Sequence, residues 1–429
     1  MSQIYTLPTK EEMASLRQEI RHMEVALDAL RESIINAQKL ADDMQKDIYR
    51  KQARIAPIRR VPMDVLSLVF IACSQGQWNA PQVIGAVCRL WRNVLFSTPR
   101  AWAYVRLDGL GVTQRQRWMK RSGVVGVHAL TNGWISSPVV GADRIRCDLL
   151  TTLSVSSDEQ SWLGLLDGYF PQLKTLKLAS QGAYTGPQPL DRALYRNLLD
   201  RDFFPSLKEL HLIELSLSGA FLFKGKELPS LEELVFARPK GNAWIQIMED
   251  AAPSLASVGL WLGPQNSLKG DDKPPVICLP RLTHLTFIIE GSPFIGTSDF
   301  RFPVDISTPR LRSYHEWTSM LVTSPVHQDV ASVSEAFIDS NSSQIDLSQF
   351  GSLERLTISL YCEHSCSDAL RRLDHWEVRH LQYISVVDEL GIASMDTLRK
   401  TQEHHKLAGR CWELLQVKSF IIKYREAST

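Results

Sequence analysis

FPSLKELHL (residues 204–212) and LPSLEELVF (228–236) share one pattern: an apolar residue, Pro, a variable residue, Leu, two variable residues, then apolar residues alternating with polar ones. FPQLKTLKL (170–178), APSLASVGL (252–260) and LPRLTHLTF (279–287) repeat it. Weaker copies read LLTTLSV near Leu150, TPRLRSYHE (308–316), FGSLERLTI (350–358) and HLQYISV (380–386). The first Leu of successive copies falls at 150, 173, 207, 231, 255, 282, 311, 353 and 381, giving spacings of 23, 34, 24, 24, 27, 29, 42 and 28 residues. Alternation with period two marks a strand with one buried face. Pro is tolerated ahead of such a strand because the hydrogen-bond ladder has not begun. A unit this small cannot bury its apolar face alone, so the recurrence predicts stacked units and a solenoid of parallel strands.

The recurrence resembles the leucine-rich repeat, whose periods these spacings overlap and in places exceed. That assigns residues 108–429 to an irregular, right-handed, curved solenoid of α/β class, with strands on the concave side. The intervening segments DRALYRNLLDRDF (191–203) and AWIQIMEDAA (243–252) carry helical spacing and are expected to form a convex helical layer. Glu316 stands where the pattern wants an apolar residue, which predicts an irregular turn or a shifted strand. The Ser- and Asn-rich insertion before residue 350 reads as a long surface loop.

Residues alternating with the inward Leu face outward on the concave side. These are Thr175 and Lys177, Glu209 and His211, Glu233 and Val235, Ser257, Gly259 and Trp261, His284 and Thr286, Arg355 and Thr357, and Tyr383 and Ser385. Their mixed character suits a protein or peptide better than a nucleic acid or a lipid. Trp261, beside the missing side chain of Gly259, has the make-up of a binding hot spot, or else folds over the strand end to cover core. Lys177, Glu209, His211, Glu233, His284, Arg355 and Tyr383 are the accompanying candidates for substrate contact.

Ahead of the repeats, Met13, Leu16, Ile20, Met23, Leu27, Leu30, Ile34, Ala37, Ala41, Met44 and Ile48 recur in alternating steps of three and four. This is a heptad seam, and neither Pro nor Gly interrupts Thr9–Ala56, so residues 1–56 read as one coiled-coil helix. A stripe this narrow wants a partner helix. The partner is a second copy pairing through residues 13–48, a different protein, or a helix of the same chain, unless the segment is a solvated arm.

Between seam and repeats lies APIRRVPMDVLSLVFIACSQG (56–76). Pro57 and Pro62 bar a smooth continuation of the long helix, and Val65, Leu66, Val69, Phe70 and Cys73 then recur at helical spacing up to Gln75-Gly76. A second short helix follows Pro81. A third runs through VCRLWRNVLFSTP (87–99), with Val87, Leu90, Trp91, Val94 and Leu95 on one face. About forty residues is near the lower limit for a domain folding alone, so a partner surface would help stabilise it.

The order VPMDVLSLVFIAC…VIGAVCRLWRNVLFSTPRAWAYVRL resembles the F-box, of the fungal (basidiomycete-type) multi-repeat kind. Val61 stands where that family usually has Leu and Asp64 where it has Glu, and both keep chemical character. The resemblance covers residues 57–107 and implies a three-helix module that docks on the Skp adaptor, and through it on a cullin, in a ubiquitin ligase. It places Pro62, Val65, Leu66 and Val69 against the adaptor, with Leu66 and Val69 expected to be open, and Cys88 and Trp91 in the module's core and adjoining contact. Leucine-rich repeats commonly carry the substrate in such proteins.

Other classes find little support. The 429 residues balance 48 Lys and Arg against 47 Asp and Glu, far from a nucleic-acid binder's basic footprint. No run of about 18 apolar residues offers a membrane span. MSQIYTLPTK shows no apolar leader core, and seven scattered Cys fit a reducing cytoplasmic or nuclear compartment. GAFLFKGKE (219–227) has five residues between its glycines instead of the four a phosphate loop needs, and Glu227 where Ser or Thr would hold magnesium. CEHSC (362–366) offers Cys362, His364 and Cys366 but lacks a well-spaced second pair for structural zinc, and reads as reduced cysteine. His404-His405 reads as a solvated helix face. No catalytic residue, metal or cofactor is expected. The reading is a non-catalytic adaptor that recruits an unidentified protein for ubiquitination. The alternative is a coiled-coil repeat scaffold outside that pathway, and a third class is an enzyme sited on the concave face.

Overall fold

The computed structural model describes residues 9–108, 110–132, 147–157, 169–180, 200–214, 228–267, 273–289, 302–318, 329–339, 349–360, 380–388 and 411–415. The chain divides into two compact units, Met1–Val69 and Phe70–Thr429.

Helix α1, Lys10–Ile55, fills most of the first unit. Its start is a capping box, in which Glu12 N donates to Thr9 Oγ1 (3.3 Å) and Thr9 N to Glu12 Oε2 (2.8 Å). At the far end Pro57 opens a 3-10 turn, Pro57–Arg60. None of α1 is buried, and the nine large seam residues keep between 41% and 63% exposure. The solvated side carries pairs one turn apart, Asp28–Arg31, Asp43–Lys46 and Asp47–Arg50, each worth a few tenths of a kcal/mol at about this exposure.

Helix α2, Met63–Gly76, ends at Gly76 as the sequence predicts. Its buried stripe is Leu66, Phe70 and Ser74, at steps of four, while Val65, Leu68, Val69 and Cys73 are exposed. This corrects the expectation that Leu66 is open: at 1% exposure it is a core residue. Apolar spacing identifies residues sharing a face but not which part of that face is covered. Helices α3, Ala80–Val87, and α4, Arg89–Phe96, are separated by Cys88, whose extended backbone breaks the helix and whose Sγ accepts from Trp91 N at 3.5 Å. Val94 and Leu95 are buried, but Val87 and Leu90 are exposed, so the expected five-residue face is covered only in part.

Trp102 joins this helical region to the repeats. The ring is buried, its Nε1 donates to Leu95 O (3.0 Å), and Trp118 of helix α5, Val112–Ser122, meets it edge-on at 5.1 Å. Arg121 lies 4.4 Å from the same ring. Burial and the neighbouring Arg117 lower the Arg121 pKa. Helix α5 stops at Gly123, whose φ of +64° suits a residue without Cβ.

The remaining strands are β1 (Tyr104–Arg106), β2 (Val127–Asn132), β3 (Leu150–Ser157), β4 (Thr175–Ser180), β5 (Glu209–Ile213), β6 (Glu233–Ala237), β7 (Ser257–Leu262) and β8 (Val276–Cys278). They continue with β9 (His284–Ile289), β10 (Asp305–Ser307), β11 (Ser313–Thr318), β12 (Glu335–Asp339), β13 (Arg355–Leu360), β14 (Tyr383–Asp388) and β15 (Cys411–Leu415). Thirteen of those described form one sheet in chain order, omitting only β8 and β10. Every pairing is parallel, so the larger unit is the parallel-strand solenoid that the repeats predict, and the chain is α/β.

The repeat pattern has a local cause. Leu207 N donates to Phe204 O (3.2 Å) and Leu282 N to Leu279 O (3.2 Å), so apolar-Pro-x-Leu is a β-turn with Pro at its second position. The residue after that Leu then joins the previous repeat, as Glu232 N does at Lys208 O (2.7 Å). Leu176 and Leu178, Leu210 and Leu212, and Leu234 and Phe236 fill the inward rows and are buried. The apolar residue before Pro stacks too, with Phe170 and Phe204 parallel at 5.3 Å.

Three expectations are corrected. The 308–316 copy is neither irregular nor shifted: Glu316 pairs in register with Phe287 and Ile338 and occupies the inward row, fully buried, accepting a hydrogen bond from Tyr314 OH. The 42-residue gap contains strand β12, where the surface loop was expected, although residues 340–348 lie outside the described set. Finally, the layer behind the sheet is not helical throughout. Helix α6, Ala243–Ala251, forms where predicted, but β8 and β10 pair as a separate two-stranded parallel sheet with Ile277 and Ile306 buried. Residues 191–199 of the other expected helix lie outside the described residues, as do GAFLFKGKE, CEHSC and His404-His405.

Candidate partner-binding site

The face opposite the Leu core consists of three register-aligned rows. Glu209, Glu233, Ser257, His284, Ser313, Glu335, Arg355 and Tyr383 lie side by side in the first. In the second, Lys177, His211, Val235, Gly259, Thr286, His315 and Phe337 follow one another. Ala237, Trp261, Ile288 and Trp317 are consecutive in the third. All eight candidates named from the sequence therefore fall on one sheet face. Pattern reading missed His315, Trp317, Glu335 and Phe337, because one strand looked irregular and the next was taken for loop.

Charge is concentrated on the middle strands. His211 Nε2 lies 3.3 Å from Glu233 Oε1, and this hydrogen-bonding approach holds the Glu233 carboxyl below its ordinary range, with Lys177 and His284 adding attraction and burial opposing. Thr175 donates to Glu209 Oε2 at 2.8 Å, and Arg355 lies 5.5 Å from the exposed Tyr383 ring. Beside this polar row runs an apolar strip of Val235, Trp261, Ile288, Trp317 and Phe337, none of them fully exposed.

Trp261 is on the outward row but half covered, with the Arg238 guanidinium 4.8 Å from its ring. Gly259 leaves no notch beside it. A Cβ there would meet Val235 Cγ2 at 3.3 Å, so Val235 already fills the space.

Burial lowers the pKa of two histidines on this face. His128 stacks on Tyr104 at 4.7 Å, and burial alone lowers it. His315 is lowered chiefly by burial and also by His284, against an upward pull from Glu335. Each binds its proton less readily folded than unfolded. Their contribution to stability is complete above the ordinary 6.5 and is lost as pH falls from there through the folded values. Glu233 acts lower, contributing above 4.5 and losing that contribution on further acidification. The thermal midpoint should therefore drop as pH falls below about 6.5. The His128→Gln, His315→Gln double variant should flatten the drop, and an unchanged slope would assign it to other groups.

The residues implied by the F-box resemblance lie in both units. In Met1–Val69, Pro62, Val65 and Val69 are exposed and Leu66 is buried. In Phe70–Thr429, Cys88 and Trp91 are half-buried, and the Trp91 ring is 5.3 Å from Phe70. Among the described residues no cluster of His, Cys, Asp or Glu is arranged to hold a metal, and no helix is long and apolar enough to cross a membrane.

An N-terminal helix followed by a parallel-strand solenoid is the class this fold defines. No protein-family model and no curated protein matches the chain.

Proposed function

We propose that this chain is the substrate-recognition adaptor of a Skp–cullin–F-box ubiquitin ligase, working in the cytoplasm or nucleus. Residues 57–107 dock as a three-helix module on the Skp adaptor, and the outward rows of the solenoid hold a target protein. The ligase's other subunits do the chemistry, and this chain supplies proximity and orientation. One observation carries the reading: the segment bearing the F-box-like motifs leaves much of its apolar surface uncovered. Ile58, Met63, Val65, Leu68 and Val69 are exposed in the first unit, and Val83, Val87 and Leu90 in the second. Exposed apolar residues on so short a helical stretch fit a surface completed by a partner.

Full-length protein co-expressed with a fungal-type Skp adaptor should co-purify with it. The Val65→Asp, Val69→Asp double variant should lose the adaptor while melting like wild type, because both positions are exposed and the new charges are costly only in a desolvated contact. Leu66→Asp is a poor probe, since it charges the core. Wild-type protein that remains free of adaptor would refute the ligase reading.

A second reading, a scaffold outside the ubiquitin pathway, is favoured by the uncovered seam of α1. It requires the helix to pair, which the adaptor reading permits but does not need.

A further inference from the structure

We infer that the rim of the sheet at the start of β7, β9 and β11 binds an acidic protein segment, through oxyanions held by Arg281, Arg310 and Arg312. These arginines line an open groove of about 760 Å³. Arg281 and Arg310 each precede the turn Leu of neighbouring repeats, where five other repeats have Ser206, Ser230, Ser254, Ser332 and Ser352. Arg312 follows its turn Leu. Parallel stacking at about 4.8 Å per strand brings together residues that are 29 positions apart in the chain.

The charge there is uncompensated. All three arginines are exposed, and among the described residues none has an ion-pair partner. Glu232, the acid on the groove wall, lies 2.6 Å from Lys208 Nζ and is already neutralised. The groove thus gathers three cations in a chain whose net charge is only +1.

The wall hydroxyls sharpen the selection. Ser254 Oγ donates to Ala251 O (3.2 Å), Thr283 Oγ1 to Ala256 O (3.1 Å) and Ser332 Oγ to Leu311 O (2.9 Å). With those protons committed to backbone, the free donors are guanidinium N–H groups, whose planar fork matches a carboxylate or phosphate in bidentate fashion. The volume accommodates several residues of extended chain, more than a lone inorganic ion requires. A nucleic acid is the poorer fit, because neighbouring rim positions carry Glu232 and Glu354 and interrupt any continuous basic track.

The site is distinct from the outward rows and stands whether or not the Skp adaptor binds. Fluorescence anisotropy with the full-length protein and three labelled peptides tests it: octaglutamate, octaglutamine, and octaglutamine with one central phosphoserine. Octaglutamate, the phosphopeptide or both should bind saturably and octaglutamine should not, and the tighter of the two acidic probes identifies the oxyanion source. Arg310→Gln with Arg312→Gln should weaken binding by roughly tenfold or more without lowering the melting temperature, since both side chains are exposed. Lys177→Gln with Arg355→Gln, on the sheet face, should leave it unchanged. The proposal fails if neither acidic peptide binds, or if the rim variants bind them like wild type. It also fails if a single-stranded oligonucleotide outcompetes both peptides with the same arginine dependence.

Discussion

Trp102→Ala should destabilise the helical region at the head of the larger unit by about 3–5 kcal/mol, the range for removing a buried large aromatic. Three losses coincide. The ring is only 2% exposed, so its removal leaves a cavity that close-packed neighbours cannot fill. Its Nε1–H hydrogen bond to Leu95 O at 3.0 Å disappears, leaving that carbonyl at the end of α4 to backbone donors such as Thr98 N at 3.1 Å. Arg121, 4.4 Å from Trp102 and 4.6 Å from Phe96, is left with one aromatic face instead of two. Trp102→Phe restores most of the apolar contact but not the donor, and should cost about 1–2 kcal/mol. Chemical denaturation followed by near-ultraviolet circular dichroism reads both variants. A loss below about 1 kcal/mol in Trp102→Ala would mean that the indole does not hold the helices to the sheet.

The long N-terminal helix supports the second large effect. At 46 residues it is about 69 Å long, and its seam residues are solvated along its whole length. Burying Leu16, Ile20, Leu27, Leu30 and Ile34 against a second helix would remove side chains worth about 1.5–3 kcal/mol each from water, offset by the cost of association. If the partner is a second copy, sedimentation equilibrium should give twice the 48.5 kDa chain mass, and Leu27→Asp with Leu30→Asp should return it to one chain. Wild-type protein that stays at single-chain mass over a hundredfold concentration range would exclude self-pairing and leave a different protein, a helix of the same chain or a solvated arm.

Strands β4, β5, β6, β7, β9 and β11 were legible because each has a Pro-x-Leu turn before it and an inward residue at every second position. β12 escaped because Val330 and Val333 make the same turn without Pro or Leu, with Val333 N donating to Val330 O at 3.1 Å. Glu316 breaks the apolar pattern, but alternation alone does not reveal that Tyr314, two residues earlier on the same inward face, donates a hydrogen bond to its Oε2. Among the helices, the 3.6-residue period grouped Val65, Leu66 and Val69 together, yet only Leu66 is covered. The arginine rim was invisible for a different reason. Arg281, Arg310 and Arg312 occupy variable positions of the motif, and only lateral stacking reveals that neighbouring repeats chose alike.

Alternation along each strand assigns cohesion and recognition to different residues. Leu234 and Phe236 hold the turn together, while Glu233 and Val235, which alternate with them, face the other way. Substitutions at the outward positions can therefore accumulate independently of those that maintain the core, and because each strand meets only the strands beside it, a repeat can be duplicated or deleted with disturbance confined to one seam. A surface built this way can drift toward a new target one residue at a time, without passing through unfolded ancestors.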